Sequence, residues 1–208
     1  MTAKHPKRPE PTNAVRTRRA YFDCRFGQLH VRTAFPTTGG FDEQVTLFCL
    51  HSERSSSRAF ARFLPEIGDV RSVYAPDLPG FGESDPSASS SVAEAAGAIS
   101  DLADDLRLRQ IDVLGVHTGG LVAMDLAALR PELVRRVALV GLPGAERLPA
   151  LKQQTLILRD PADTADGMFK LKGALPNAKF ADLADYTPDL FDASPKTLAR
   201  QIGAFLSG

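Results

Sequence analysis

One stretch constrains this chain more than any other: Val113-Leu114-Gly115-Val116-His117-Thr118-Gly119-Gly120-Leu121-Val122-Ala123. An apolar run, Ile111-Asp112-Val113-Leu114, enters it, and an apolar helical pattern leaves it. A buried strand must therefore turn at once into a helix. In a Gly-x-X-x-Gly elbow the side chain at X stands on strained backbone at the top of the sheet. Residues two before and two after must be small, because so tight a turn has no room for a β-carbon. Gly115 and Gly119 supply that frame. The residue at the tip, where a serine, cysteine or aspartate nucleophile ordinarily stands, is His117.

At 208 residues, one domain with a full apolar core is expected. The formal net charge is zero, which gives no global reason to bind nucleic acid or a membrane surface. The balance is uneven, however. Residues 1–20 hold Lys4, Lys7, Arg8, Arg16, Arg18 and Arg19 against Glu10, with Pro6, Pro9 and Pro11. This stretch reads as a disordered basic tail preceding a domain over 21–208. An organelle presequence or a polyanion-binding arm is the alternative. No apolar run reaches the length of a membrane span or a signal-peptide core, so the cytoplasm is the default compartment. Cys24 and Cys49 are too few for a disulfide framework, and Cys49 sits in an apolar strand pattern as a buried thiol.

Tyr21–Arg25 and Gln28–Thr33 read as a hairpin joined at Gly27, and Val45–Leu50 as a strand buried on both faces. A helix is expected around Ala59–Ile67, then a strand over Arg71–Ala75. Val92, Ala96, Ile99, Ala103 and Leu106 recur at helical spacing. A strand at 111–115 and a central helix at 118–129 follow, then strands at Arg136–Val140, Thr155–Leu158 and near Lys179–Leu183. A closing helix starts at Ser194 as cap with Pro195 at its first position, burying Leu198, Ile202, Phe205 and Leu206. Strands alternating with helices predict an α/β class with a mostly parallel sheet.

Three motifs in this order resemble the α/β-hydrolase superfamily, in its epoxide hydrolase, dehalogenase and esterase branch. Leu50-His51-Ser52-Glu53-Arg54-Ser55-Ser56-Ser57 resembles the His-Gly-x-x-x-Ser loop that supplies an oxyanion-hole amide. Asp77-Leu78-Pro79-Gly80-Phe81-Gly82-Glu83-Ser84 is similar to the Asp-x-Pro-Gly-x-Gly-x-Ser turn, and the elbow is the third. The resemblance implies helices on both faces of the sheet. It also implies oxyanion and substrate contacts from His51, Ser52, Thr118, Tyr186 and Phe81. Four departures stand out. His117 replaces the nucleophile, and Ser52 replaces a glycine. The segment where relatives insert a cap shrinks to Gly141–Gln154, and no histidine follows His117. The acid position is kept, with Asp163 in register and Asp160 as substitute.

A serine-type triad needs a hydroxyl, a base within reach and a group to orient the base. The first two are missing here. A dyad of His117 with Asp163 or Asp160 is the remaining route, with the imidazole as general base toward water and the Thr118 N–H facing the oxyanion. Three functions follow: a hydrolase of a small ester or epoxide, a silent relative that binds a small molecule or protein, and a lyase or hydratase using His117 for proton transfer. His51 is expected to structure its loop, while His30 and His5 have no partner in sequence and read as incidental. No metal spacing is present, and no cofactor is expected. Without a cap, Phe81, Leu142, Leu148 and Phe191 are expected to form an exposed patch, roofed by a second copy in a homodimer or left as an open cleft.

Overall fold

The structure is a computed structural model that describes residues 15–37, 44–87, 89, 91–141, 151–159, 172–173, 175–183, 187 and 189–208. Eight strands form one sheet: β1 (Arg16–Cys24), β2 (Gly27–Phe35), β3 (Gln44–Leu50), β4 (Arg71–Pro76), β5 (Ile111–Val116), β6 (Val134–Val140), β7 (Gln154–Arg159) and β8 (Ala178–Asp182). Their spatial order is β1-β2-β4-β3-β5-β6-β7-β8. Among the described strands only β2 runs against its neighbours, and every pairing from β4 across to β8 is parallel. The carboxyl ends of six parallel strands therefore open onto one edge, where ligands bind in open α/β sheets.

The helices fall on the two faces as their apolar patterns require. On one face lie α2 (Val92–Asp105) and α3 (Thr118–Leu129), burying Ile99, Leu102, Val122 and Leu126 against β5 and β6. Ser91 caps α2 by accepting the Glu94 N–H at 3.2 Å. On the other face, α1 (Phe63–Ile67) and the closing helix α4 (Pro195–Ser207) bury Phe63, Ile67, Leu198, Ile202 and Leu206. Each such side chain contributes about 1.5–3 kcal/mol through removal from water.

Four expectations are corrected. The first strand starts at Arg16, not Tyr21, and pairs with β2 from Arg16↔Phe35 onward. The ordered sheet thus reaches into the stretch read as a tail, of which residues 1–14 lie outside the described residues. Arg16, Arg18 and Arg19 are exposed, and charge of this kind keeps an edge strand from pairing with other chains. The helix expected over Ala59–Ile67 is divided into a 3-10 turn (Ser57–Phe60) and α1. Pro65 is the physical cause: it has no N–H to bond the Ala61 carbonyl, and its ring would clash there. In the closing helix Ser194 occupies the cap position and Pro195 the first turn, but the Ser194 side chain makes no capping bond. Phe205 is only partly buried, lying 5.8 Å under the Arg136 guanidinium. Finally, Phe191 is not part of an exposed patch. It is buried edge-on against Phe60 and Phe63, with ring centroids at 4.9 and 5.2 Å. Phe81 is half-buried, while Leu142 and Leu148 lie outside the described residues.

The amino ends of the strands hold a buried ionic cluster. Arg71 at the start of β4 and Asp112 in β5 are both fully buried, 3.2 Å apart. Arg135 of β6 reaches the same carboxylate at 2.6 Å and also donates to the Leu206 carbonyl. Arg136 donates to the Phe205 carbonyl. Both arginines therefore satisfy and offset the negative end of α4.

Candidate functional site

The elbow forms where the pattern places it. β5 ends at Val116, α3 starts at Thr118, and His117 between them has φ 47° and ψ −115°. A side chain rarely tolerates that backbone, and such strain costs of order 1–3 kcal/mol. Surrounding contacts hold it: the His117 N–H donates to Val140 O at 3.0 Å, and the Gly120 N–H to His117 O at 2.8 Å. The glycine frame is obligatory. A β-carbon on Gly115 would lie 2.5 Å from the Gly119 carbonyl oxygen, and one on Gly119 would lie 2.3 Å from Leu50 O. The start of α3 is thus pressed against the backbone at the end of β3. His117 itself is exposed at the carboxyl edge of the sheet.

The loop after β3 is bound into the fold by His51, as the sequence leads one to expect. Its ring is buried, with Nδ1 2.8 Å from the Ser52 carbonyl oxygen. The Leu78 N–H donates to Nε2 at 2.9 Å. An amide can only donate, so Nε2 carries the lone pair and Nδ1 the hydrogen. Burial pushes this imidazole below the usual histidine range, opposed by the Ser52 bond and by Asp77. Both ring nitrogens are engaged, so the oxyanion or substrate role considered for His51 is not made by its ring. The ring meets the Phe81 ring edge-on at 5.7 Å.

The amide of this loop that meets the elbow is that of Glu53, a residue the motif does not single out. Its N–H already has a partner, the Thr118 hydroxyl oxygen. Thr118, expected as an oxyanion donor through its backbone, also offers a side-chain oxygen to the opposite amide. Nothing in spacing alone announces this bond, because its partners are 65 residues apart. Ser52 is half-buried and lines the cavity beside His117.

The third motif is held by a residue read as incidental. His30 on β2 is buried, and its Nδ1 lies 2.8 Å from Asp77 Oδ2. The same carboxylate accepts the Glu83 N–H at 2.9 Å and the Ser57 N–H at 2.5 Å. Burial acts to raise the Asp77 carboxyl, but the bonds from Glu83, Ser57 and His30 outweigh it and hold it below the ordinary range. Ser84 closes the turn by donating to Asp77 O and accepting the His30 N–H. Gly82 is required here, since a β-carbon would lie 2.1 Å from Asp77 Oδ2. His30 is therefore a structural partner of the turn, and sequence could not show it because Asp77 lies 47 positions away.

Two cavities open near the elbow, and the larger is lined by Glu53 and Thr118. One, of about 70 Å³, is lined by Ser52, Ser55, His117, Thr187, Leu190 and Phe191. The other, of about 210 Å³, lies toward Leu78, Phe81, Val92 and Val122. Asp160, Asp163 and Tyr186 lie outside the described residues. Among the described residues no three His, Cys, Asp or Glu side chains are grouped to hold a metal. Burial pushes the Cys49 thiol well above its usual range, so it is inert. No described helix is long and apolar enough to cross a membrane.

Comparison with known proteins agrees with this geometry. Over 107 residues the chain is 35% identical to 2-hydroxymuconate semialdehyde hydrolase of Pseudomonas sp. strain CF600, covering 47% of this chain and 36% of that protein. The chain spans about a third of the length of the curated relatives it matches. Naproxen esterase from Bacillus subtilis superposes with a TM-score of 0.78 at 17% identity, over 92% of each chain. Haloalkane dehalogenase DbeA from Bradyrhizobium elkani superposes with a TM-score of 0.77 at 15% identity, over 93% of this chain and 98% of that one. The profile of the alpha/beta hydrolase fold matches residues 45–208. With the elbow, the amide loop, the aspartate turn and the strand order all in place, this chain belongs to the α/β-hydrolase fold family.

Proposed function

We propose that the chain hydrolyses a small ester or related carbonyl compound by a non-covalent route, with His117 activating water. The observation that carries this reading is the crest itself. The strained elbow is retained with an imidazole on it, exposed beside a cavity of about 70 Å³. Residues held in such backbone cluster at active sites, where position matters more than ease. In this route the imidazole takes a proton from water as the oxygen attacks the carbonyl carbon, and then returns it to the leaving alcohol. A general base of this kind supplies about 10²–10⁴-fold. Asp160, immediately after β7, or Asp163 would orient the ring. The Thr118 N–H, the first of α3 and without an intrahelical acceptor, would face the developing oxyanion. Relatives named hydrolases and esterases support the reaction class.

The test is turnover of p-nitrophenyl esters by the intact chain and by His117→Ala. The variant is expected to lose turnover while keeping its fold, and full turnover by it would end the proposal. Thr118→Ala sharpens the test. It frees the Glu53 N–H as a second oxyanion donor, and kcat/KM is expected to rise roughly tenfold. That same bond favours a second reading, a silent family member that binds a ligand. Stabilisation by ligand with no turnover in either the parent chain or Thr118→Ala would select it.

A further inference from the structure

We propose that the pocket on the Phe81 side of the Thr118–Glu53 bond is a binding site for a small organic cation with an apolar body. The pocket encloses about 210 Å³ and is walled by Leu78, Phe81, Val92, Ala95 and Val122, with Glu53 at its polar side. That volume suits a fragment, being smaller than the about 300–1,000 Å³ of drug-sized sites. The walls reward burial of hydrocarbon, so charge and hydrogen bonding decide which fragment enters.

Glu53 is the one charged side chain among the described residues of the lining. Its carboxylate has no hydrogen bond or ion pair among the described residues, where Arg19, Arg25, Arg62, Arg130, Arg135 and Arg159 each hold an acid. Its backbone N–H is fixed to Thr118, so the residue is anchored while its acid end remains available. The other polar groups are already committed in part. Ser87 donates to Glu94, and Ser91 caps α2. Thr118 accepts from Glu53 through its oxygen, which leaves the hydroxyl hydrogen as a donor at the pocket edge. Phe81 adds an aromatic ring, whose face attracts a cation within about 6 Å. Among the described residues no lysine, arginine or histidine lines the pocket to receive an anion. An ammonium on a short aryl or alkyl body matches each of these features. A carboxylate of equal size would meet Glu53 instead.

This site shares Thr118 and Glu53 with the proposed oxyanion region but not His117, the water-activating group, which lines the other cavity. The experiment is calorimetric titration of the full chain with benzylammonium, benzyl alcohol and benzoate, which share one body and differ in charge. Benzylammonium is expected to bind, with added salt weakening it, and benzoate to show no heat of binding. Glu53→Gln is expected to lower benzylammonium affinity about tenfold, as loss of a charged hydrogen bond would, without altering benzyl alcohol. Ala95→Leu fills the pocket and is expected to remove binding of both, its fold being checked by circular dichroism. His117→Ala should bind benzylammonium as the parent does, so the two proposals fail separately. Equal affinity for all three probes would overturn the assignment. So would unchanged benzylammonium affinity in both Glu53→Gln and a folded Ala95→Leu.

Discussion

The two ends of the sheet use polar groups in opposite ways. At the amino ends, Arg71, Asp112 and Arg135 satisfy one another, and little of this cluster meets solvent. At the carboxyl ends, Asp77 and His51 are satisfied mostly by backbone N–H and C=O groups of the loops they organise. His117 is set above them, exposed on strained backbone. Side-chain ions fasten strands and the closing helix at one end. At the other, side chains give loops a fixed shape and leave a functional group uncovered. The first arrangement serves stability and the second spends stability on position.

Breaking the amino-end cluster should have the largest effect. Asp112→Ala leaves Arg71 buried without its carboxylate, and unfolding in urea should show a loss of about 3–5 kcal/mol. A loss under 1 kcal/mol would erase the contrast between the ends. Next comes Gly119→Ala, whose added methyl meets backbone at both Leu50 and His51. Overpacking of this kind costs about 1–3 kcal/mol, and turnover should fall with it because the crest must shift. A smaller effect isolates the strain. His117→Gly and His117→Ala both remove the ring, but only glycine accepts φ 47° freely. The glycine variant should be about 1 kcal/mol more stable. Equal stability would mean that the crest stores no strain.

The smallest expected effect is on the acid side. His51 and Asp77 both titrate below their ordinary values in the folded chain. Each therefore contributes stability above its unfolded pKa, and that contribution is lost as pH falls through the folded value. Stability should decline first below about pH 6.5, as His51 is driven to take a proton where it accepts the Leu78 N–H, and again below about pH 3.9 for Asp77. His51→Gln should flatten the upper step and Asp77→Asn the lower one, read from urea midpoints across pH.

Much of the architecture was legible because the central strands are apolar on both faces and the glycines of the elbow have no substitute. Ile111–Val116 and Thr118–Leu129 follow directly from such patterns. Edge elements were harder. Arg16-Thr17-Arg18-Arg19 shows no apolar alternation, since an edge strand owes its place to backbone pairing with β2. The site was legible as a set of backbone frames. It was not legible as a set of contacts. The glycines of the elbow and of the Asp77 turn mark where chain must pass close to chain, a local property. His30 with Asp77 and Thr118 with Glu53 are long-range pairs, which no local spacing encodes.

One of those pairs reaches further than its own bond. The turn gripped by His30 carries Leu78 and Phe81, a wall of the larger pocket, and β2 is the single reversed strand among those described. A residue early in the chain thus acts as a tie-rod for a chamber it never touches. Selection for a wider or narrower ligand has a remote dial at position 30, adjustable without disturbing the crest.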